Sequence, residues 1–293
     1  MSKVVLFVMT RKGYESLAHF IRTFGSSNIN FVVGAEDAGN QEDCYREIKD
    51  LCKQHQVAFY NRQEKFTVDT EYVIAISWRW MITLGDSKLI VMHDSLLPRY
   101  RGFAPLVNCL VNGEQKIGVT ALYASEEYDR GDIIASDHLE ISYPLKIKDA
   151  IEMITSCYKN LIEHIGKKII SGELMEAKKQ REEDATYSLW LDESDYDIDW
   201  NKDAETLKRF IDAVGFPYNG AATYMDGKKL RIADAEVLPD LVIENRKPGK
   251  IIFMEQGKPV VVCGKGLIRI KSLIDDATTQ EMLPLKRFRI RFT

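Results

Sequence analysis

The chain has 293 residues, 45% of them apolar and 29% charged, with a formal net charge of −4. At roughly 100–200 residues per domain this length predicts two domains, and the charge balance is a poor footprint for sequence-independent nucleic-acid binding, with a local basic patch left open. The five cysteines (Cys44, Cys52, Cys109, Cys157 and Cys263) are odd in number and lack CxxC spacing, which argues against a disulfide scaffold or zinc ribbon and fits a reducing, cytoplasmic setting. No apolar run is long enough for a bilayer. Met1-Ser2-Lys3 runs straight into a strand-like stretch, without the length or cleavage site of a signal peptide.

Residues 4–9 form a continuous β-branched and aromatic run, the pattern of a strand buried on both faces. Residues 10–13 read as a turn, and 14–24 have helical apolar spacing. A strand at 29–33, a charged helix at about 41–55 and strands at 57–60 and 72–76 follow. This alternation predicts an α/β domain with a Rossmann-like, doubly wound parallel sheet. No GxGxxG follows the first strand, so a classical dinucleotide site is not supported. Ser77-Trp78-Arg79-Trp80-Met81-Ile82 comes next, either lining a flat aromatic pocket or packing on the core. An apolar run then ends in His93, followed by a loop with proline and glycine. Ligands in open α/β sheets sit outside the carboxyl ends of the strands, and a histidine there can move protons near neutral pH.

Further on, 104–111 reads as a short helix, 118–124 and 133–136 as strands, 125–132 as an acidic turn and 146–165 as an amphipathic helix. The charged stretch 173–188 reads as a linker or a solvated helix end. Asp203 can cap a short helix that stops at Gly215. Five short strands follow (221–224, 230–237, 250–253, 259–263 and 267–270), suggesting a small OB-like β-barrel. The predicted domains are therefore 1–188 and 189–293.

Three motifs carry a resemblance. His93-x-Ser95-Leu96-Leu97-Pro98-x-x-Arg101-Gly102, Gly118-Val119-Thr120 and Asp129-Arg130-Gly131-Asp132-Ile133 resemble the N10-formyltetrahydrofolate-dependent formyltransferases. Ile198-Asp199-Trp200, Pro217-Tyr218-x-Gly220-Ala221 and Gly227-Lys228-Lys229-Leu230-Arg231-Ile232 resemble the C-terminal domain of its methionyl-tRNA and sugar members. The resemblance implies formyl transfer to a primary amine through a tetrahedral intermediate, with His93 managing the proton and Asp129 supporting the imidazolium. In isolation Asp129 would read as a turn cap. N10-formyltetrahydrofolate is the implied co-substrate, with no metal.

By the same resemblance, Trp80, Met81 and Ile82 match the loop whose backbone meets the pterin, although plain core packing also fits Met81 and Ile82. Ser125, Glu126, Glu127 and Tyr128 match the loop closing over it. Ser95, Arg101 and Tyr218 are candidate substrate contacts. Arg101 fits two roles equally, meeting a substrate phosphate or bracing its own loop. The family carries an asparagine two residues before the histidine, where this chain has Val91. Valine donates no hydrogen bond, so the chain works with a substitute donor such as Ser77, is slow, or only binds.

Between acceptors, residues 34–40 pass directly into a helix without the basic, glycine-rich insertion of methionyl-tRNA members. A nucleotide-linked amino sugar is the expected acceptor, with methionyl-tRNA formyltransferase and a folate- or nucleotide-sugar-binding pseudoenzyme as alternatives. The expected partners are small molecules, folate and nucleotide sugar, rather than nucleic acid or membrane; a homodimer is compatible. The basic run 286–291 fits a phosphate contact or a half-exposed edge strand.

Overall fold

The computed structural model describes residues 3–293. Met1 and Ser2, read above as leading into the first strand, lie outside the described residues. The backbone clusters into two units. One comprises the stretch ending at Leu106, Lys116–Ile141 and Ala150–Leu189; the other comprises Val107–Gln115, Ser142–Asp149 and Trp190–Thr293.

In chain order the first elements are β1 (Val4–Val8), α1 (Thr10–Phe24), β2 (Ile29–Gly34), α2 (Tyr45–Gln54), β3 (Ala58–Asn61), β4 (Tyr72–Ile76) and β5 (Lys88–His93). Next come β6 (Arg101–Gly102), α3 (Pro105–Val111), β7 (Lys116–Tyr123), β8 (Ile133–Glu140), α4 (Ile147–Ser171) and β9 (Tyr187–Ser188). The rest are α5 (Ala204–Ala213), β10 (Ala221–Met225), β11 (Lys228–Leu238), β12 (Ile251–Glu255), β13 (Lys258–Val262) and β14 (Leu267–Asp275).

The large sheet has the order β3-β2-β1-β4-β5-β7-β8. Its first five strands are parallel, as the alternation predicts, while β7 pairs antiparallel with β5 and β8 antiparallel with β7. The sheet is therefore mixed, a Rossmann-like core with an antiparallel margin. All five residues of β1 are buried, which is why its sequence is apolar without alternation. On one face Val5, Phe7, Phe31, Val33, Val73 and Ala75 form a core onto which Phe66, Trp78, Ile82, Leu84, Leu89 and Val91 pack. Phe7 meets Trp78 edge-on at 5.0 Å and Phe66 at 5.8 Å, in the geometry aromatic quadrupoles prefer.

Residues 10–13 are the first turn of α1 rather than a separate turn. Thr10 has φ +60°, a turn signature, yet its amide is satisfied by the Asp43 carbonyl, and the preceding amide of Met9 by Ile76. Tertiary partners thus start the helix earlier than its apolar spacing does.

In the second unit, five antiparallel strands follow the order β10-β11-β14-β13-β12. Asp203 caps α5 as expected, accepting from the Thr206 amide at 2.9 Å. The C-terminal residues join the two edges of this sheet: Phe292 bridges Met225 and Arg291 bridges Lys250. Ile290 and Phe292 are buried there while Phe288 is 49% exposed, so the basic run enters a strand-like pairing only at its end, at Arg291. Trp200 is buried and donates through Nε1 to Thr223 Oγ1 at 3.0 Å. No helix among the described residues is long and apolar enough to cross a membrane.

Candidate active site

His93 ends β5, opposite Thr120 of β7, and is 7% exposed. Its Nε2 lies 2.8 Å from the Tyr100 carbonyl oxygen. A carbonyl can only accept, so Nε2 carries a proton. Nδ1 faces Asp129 Oδ1 at 3.4 Å. With Nε2–H committed to that carbonyl, Nδ1 is the remaining ring nitrogen, and it lies beside a carboxylate.

Asp129 is set by its backbone. It adopts φ +55°, a conformation aspartate tolerates better than most residues. Its Oδ2 accepts from the Gly102 amide at 2.8 Å, and its carbonyl accepts from Gln180 Nε2 at 2.7 Å. Gln180 Nε2 also reaches the Gly131 carbonyl at 2.8 Å. Gly131 is needed because a Cβ there would lie 1.7 Å from the Tyr123 carbonyl oxygen. The acidic turn is thus pressed against the end of β7 and held from the far side by Gln180.

Arg101 has no exposed surface. Its Nη1 and Nη2 bind Glu182 at 2.9 and 2.8 Å, while Nε and Nη2 bind Gln180 Oε1 at 3.1 and 2.8 Å. Tyr187 Oη lies 3.4 Å from Nη1. This resolves the two roles left open above: Arg101 braces its loop, and the substrate-contact assignment is corrected, because every face of the guanidinium is engaged by the protein. Ser95 is corrected for the same reason. It is 1% exposed, its Oγ donates to the Arg99 carbonyl at 2.7 Å and its carbonyl accepts from Thr120 Oγ1.

The reading of 173–188 as a linker or helix end is also overturned. Gln180 and Glu182 hold Arg101, Thr186 Oγ1 accepts from the Tyr100 amide at 2.9 Å, and β9 pairs in parallel with β6. These residues were missed by the sequence reading. One signal pointed to them: a motif arginine beside a buried loop calls for a carboxylate, and 182–184 is an acidic run.

Glu182 is consequently held well below the usual carboxylate range, at about 2, by hydrogen bonds first from Arg101 and then from Arg130. A depressed folded-state pKa contributes stability above the unfolded value that is lost as pH falls through the folded one. The brace is expected to weaken progressively from about pH 4.5 down to about 2. In hydrogen exchange, the amides of Arg101 and Phe103, which donate to the Thr186 and Ser188 carbonyls, should lose protection over that window in wild type. Glu182→Gln should lack the acid-dependent step.

Val91 lies two residues before His93 on the same strand face, half-buried against the apolar cluster that includes Trp78 and Ile82. Ile82 packs into that cluster, while Met81 is 69% exposed. Trp80 is exposed, stacks edge-on to Trp78 at 5.3 Å and carries Arg62 over its ring at 4.2 Å. Ser125, Glu126, Glu127 and Tyr128 form an exposed turn leading into Asp129. Ser125 Oγ donates to the Glu127 carbonyl, Glu127 pairs with Arg130, and Tyr128 packs on Phe103 at 5.6 Å. Tyr218 belongs to the second unit, half-buried, with its amide on the Gly215 carbonyl. Among the described residues, no group of three or more His, Cys, Asp or Glu side chains is placed to hold a metal ion.

Residues 71–156 match the Formyl transferase family and residues 191–283 match Formyl transferase, C-terminal domain. Methionyl-tRNA formyltransferase of Lachnospira eligens is 31% identical over 230 residues, covering 74% of this chain and 70% of the relative. The methionyl-tRNA formyltransferase of Caldanaerobacter subterraneus is 30% identical over 190 residues; the match covers 65% of this chain and only 60% of that relative's length. Among solved structures, WlaRD, a sugar 3N-formyl transferase in the presence of dTDP and 5-N-formyl-THF, superposes with a TM-score of 0.69 at 16% identity, covering 92% of this chain and 97% of WlaRD. With both matched domains in place, the chain belongs to the formyltransferase family.

Proposed function

We propose that the chain moves a formyl group from N10-formyltetrahydrofolate to the amine of a nucleotide-linked amino sugar. The observation that carries this is the His93–Asp129 pair, held at 3.4 Å at the carboxyl end of β5. The Nδ1 position of His93 takes the proton that an attacking amine must lose, and Asp129 stabilises the imidazolium so formed. The Tyr100 carbonyl keeps the ring from turning during the exchange.

The residues present fit a reduced folate. Trp80 and Met81 are exposed beside the apolar cluster, and Ser77 Oγ and Trp78 Nε1 are buried polar atoms without a hydrogen-bond partner. Exposed apolar side chains beside a few unpaired polar atoms suit a flat, amide-like heterocycle. Trp80, Met81 and Ile82, with the 125–128 turn, would hold the folate, which supplies the formyl group.

The sugar acceptor rests on two supports. Residues 35–44 between β2 and α2 are acidic, with Glu36, Asp37, Glu42 and Asp43, and carry no lysine or arginine. That stretch suits tRNA phosphates poorly. WlaRD also superposes with the higher TM-score, 0.69 against 0.56 for the methionyl-tRNA formyltransferase from Clostridium thermocellum. A second reading, methionyl-tRNA as acceptor, is favoured by the higher sequence identity to such enzymes. In this proposal residues 1–188 serve as the catalytic domain and 189–293, with the five-stranded sheet, as the OB-like one.

The test is tetrahydrofolate release from N10-formyltetrahydrofolate with a panel of nucleotide-linked 3-amino and 4-amino sugars and with methionyl-tRNA. Release is expected with one of the sugars. Release with methionyl-tRNA alone would establish the second reading. Release with none, together with activity in Val91→Asn, would make the wild type a binding protein lacking a donor.

A further inference from the structure

We infer that Asp94, Lys12 and Tyr158 form a clamp that positions the imidazole of His93. This deepens the formyl-transfer reading and rests on it for its kinetic part only.

Asp94 directly follows His93. It lies just past the end of β5, and its side chain meets α1 and α4, whereas His93 meets the Asp129 turn. Its carboxylate receives the Lys12 ammonium from the first turn of α1 and the Tyr158 hydroxyl from α4. The Tyr158 hydroxyl also lies 3.3 Å from the Met92 carbonyl oxygen. One phenolic oxygen therefore sits within reach of the residue before His93 and the residue after it. A phenol has a single proton to give, and the tighter contact is to Asp94, so the carboxylate is the firm end of the clamp. Lys12 sits 5.8 Å from the Tyr158 ring centroid, closing the triangle.

Energetics argue against a simple stabilising role. The Lys12 and Asp94 side chains are only 10% and 15% exposed, and Tyr158 is fully buried. An ion pair so sheltered gains little over apolar residues of the same shape, since desolvation offsets the attraction. What an apolar substitute could not do is fix the dihedrals of one strand residue from both flanks. His93 needs that. Its Nδ1 contact with Asp129 spans 3.4 Å, at the long edge of hydrogen bonding, where a small rotation breaks it. The rest of the loop is fixed further along, by Ser95 with Thr120 and by Arg101 with Glu182. Asp94 is the anchor at the loop's start.

The test uses the full chain, as Tyr158→Phe and as the double variant Lys12→Met with Asp94→Leu. The double variant removes both charges together and is expected to melt at or above the wild-type temperature. Protein with 15N-labelled histidine gives signals from five histidines, and His93→Gln assigns the one that matters. The clamp predicts that the His93 signal alone shifts or broadens in both variants. With the active acceptor, kcat should fall by about ten- to a hundredfold, the scale of a small misplacement of a reacting group. KM for N10-formyltetrahydrofolate should stay within about twofold, since the clamp faces away from the folate loops. Folded variants with an unmoved His93 signal, or a double variant with wild-type kcat, would overturn the inference. The magnetic-resonance arm needs no acceptor, so a wild type without turnover counts against formyl transfer and leaves this comparison standing.

Discussion

His93→Ala is expected to lower kcat by about 10²–10⁴, the usual contribution of a positioned acid–base group, while KM for N10-formyltetrahydrofolate changes little. The imidazole is nearly enclosed, and its two nitrogens face a carbonyl and a carboxylate. Neither contact resembles a recognition surface for a heterocycle, so its loss should fall on the chemical step. Asp129→Asn should follow in the same direction. It keeps the hydrogen bond from the Gly102 amide through its carbonyl oxygen and removes the negative charge that, in the proposed function, steadies the imidazolium. Combining the two substitutions should cost scarcely more than His93→Ala alone, because residues acting as a unit are not additive. Single-turnover rates for the three variants check this. Multiplying effects, or a His93→Ala enzyme with unchanged kcat and raised KM, would assign the pair to binding rather than proton transfer.

How much of this arrangement was legible depends on whether the interactions that make it are local. β1 reads directly, since a run buried on both faces must be apolar throughout. His93 at a strand end reads for a similar reason: an apolar run, then an imidazole, then proline and glycine, all within a few residues. The reversal of β7 against β5 has no local marker, because strand direction is decided by where the chain returns. Arg101 was only half legible. Its motif is local, but its partners Gln180 and Glu182 lie 79 and 81 residues away. The composition around those partners is that of any solvated charged segment. Asp94 was invisible for the same reason: the two groups that make it an anchor come from α1 and α4, and nothing in the loop sequence calls for them. Val91 read clearly as a departure, yet only the structure shows that it is continuous with the apolar face formed by Trp78 and Ile82.

Arg101→Met should destabilise the protein by about 2–4 kcal/mol, the loss of several charge-assisted hydrogen bonds from a fully buried group. The cost stays below that of breaking an isolated buried ion pair because Glu182 is 55% exposed and can return to water. Arg101→Lys should rescue little. A lysine is a point charge, whereas the guanidinium reaches Gln180 Oε1 and both Glu182 oxygens at once through its planar fork. The consequence travels to the chemistry through Gln180. Its Oε1 is held by Arg101, and its amide nitrogen holds the carbonyls of Asp129 and Gly131. When the guanidinium goes, Gln180 is free to turn, and the left-handed turn carrying Asp129 loses its outer support. Both kcat and the denaturation midpoint should therefore drop, with the acceptor KM nearly constant. If Arg101→Met instead left stability within about 0.5 kcal/mol, the range of inert surface changes, and raised only the acceptor KM, the arginine would be reaching a substrate phosphate after all. The buried geometry would then describe a resting state that opens on binding. Denaturant melts and steady-state kinetics on the same three proteins separate these outcomes, because a brace and a phosphate contact move different parameters.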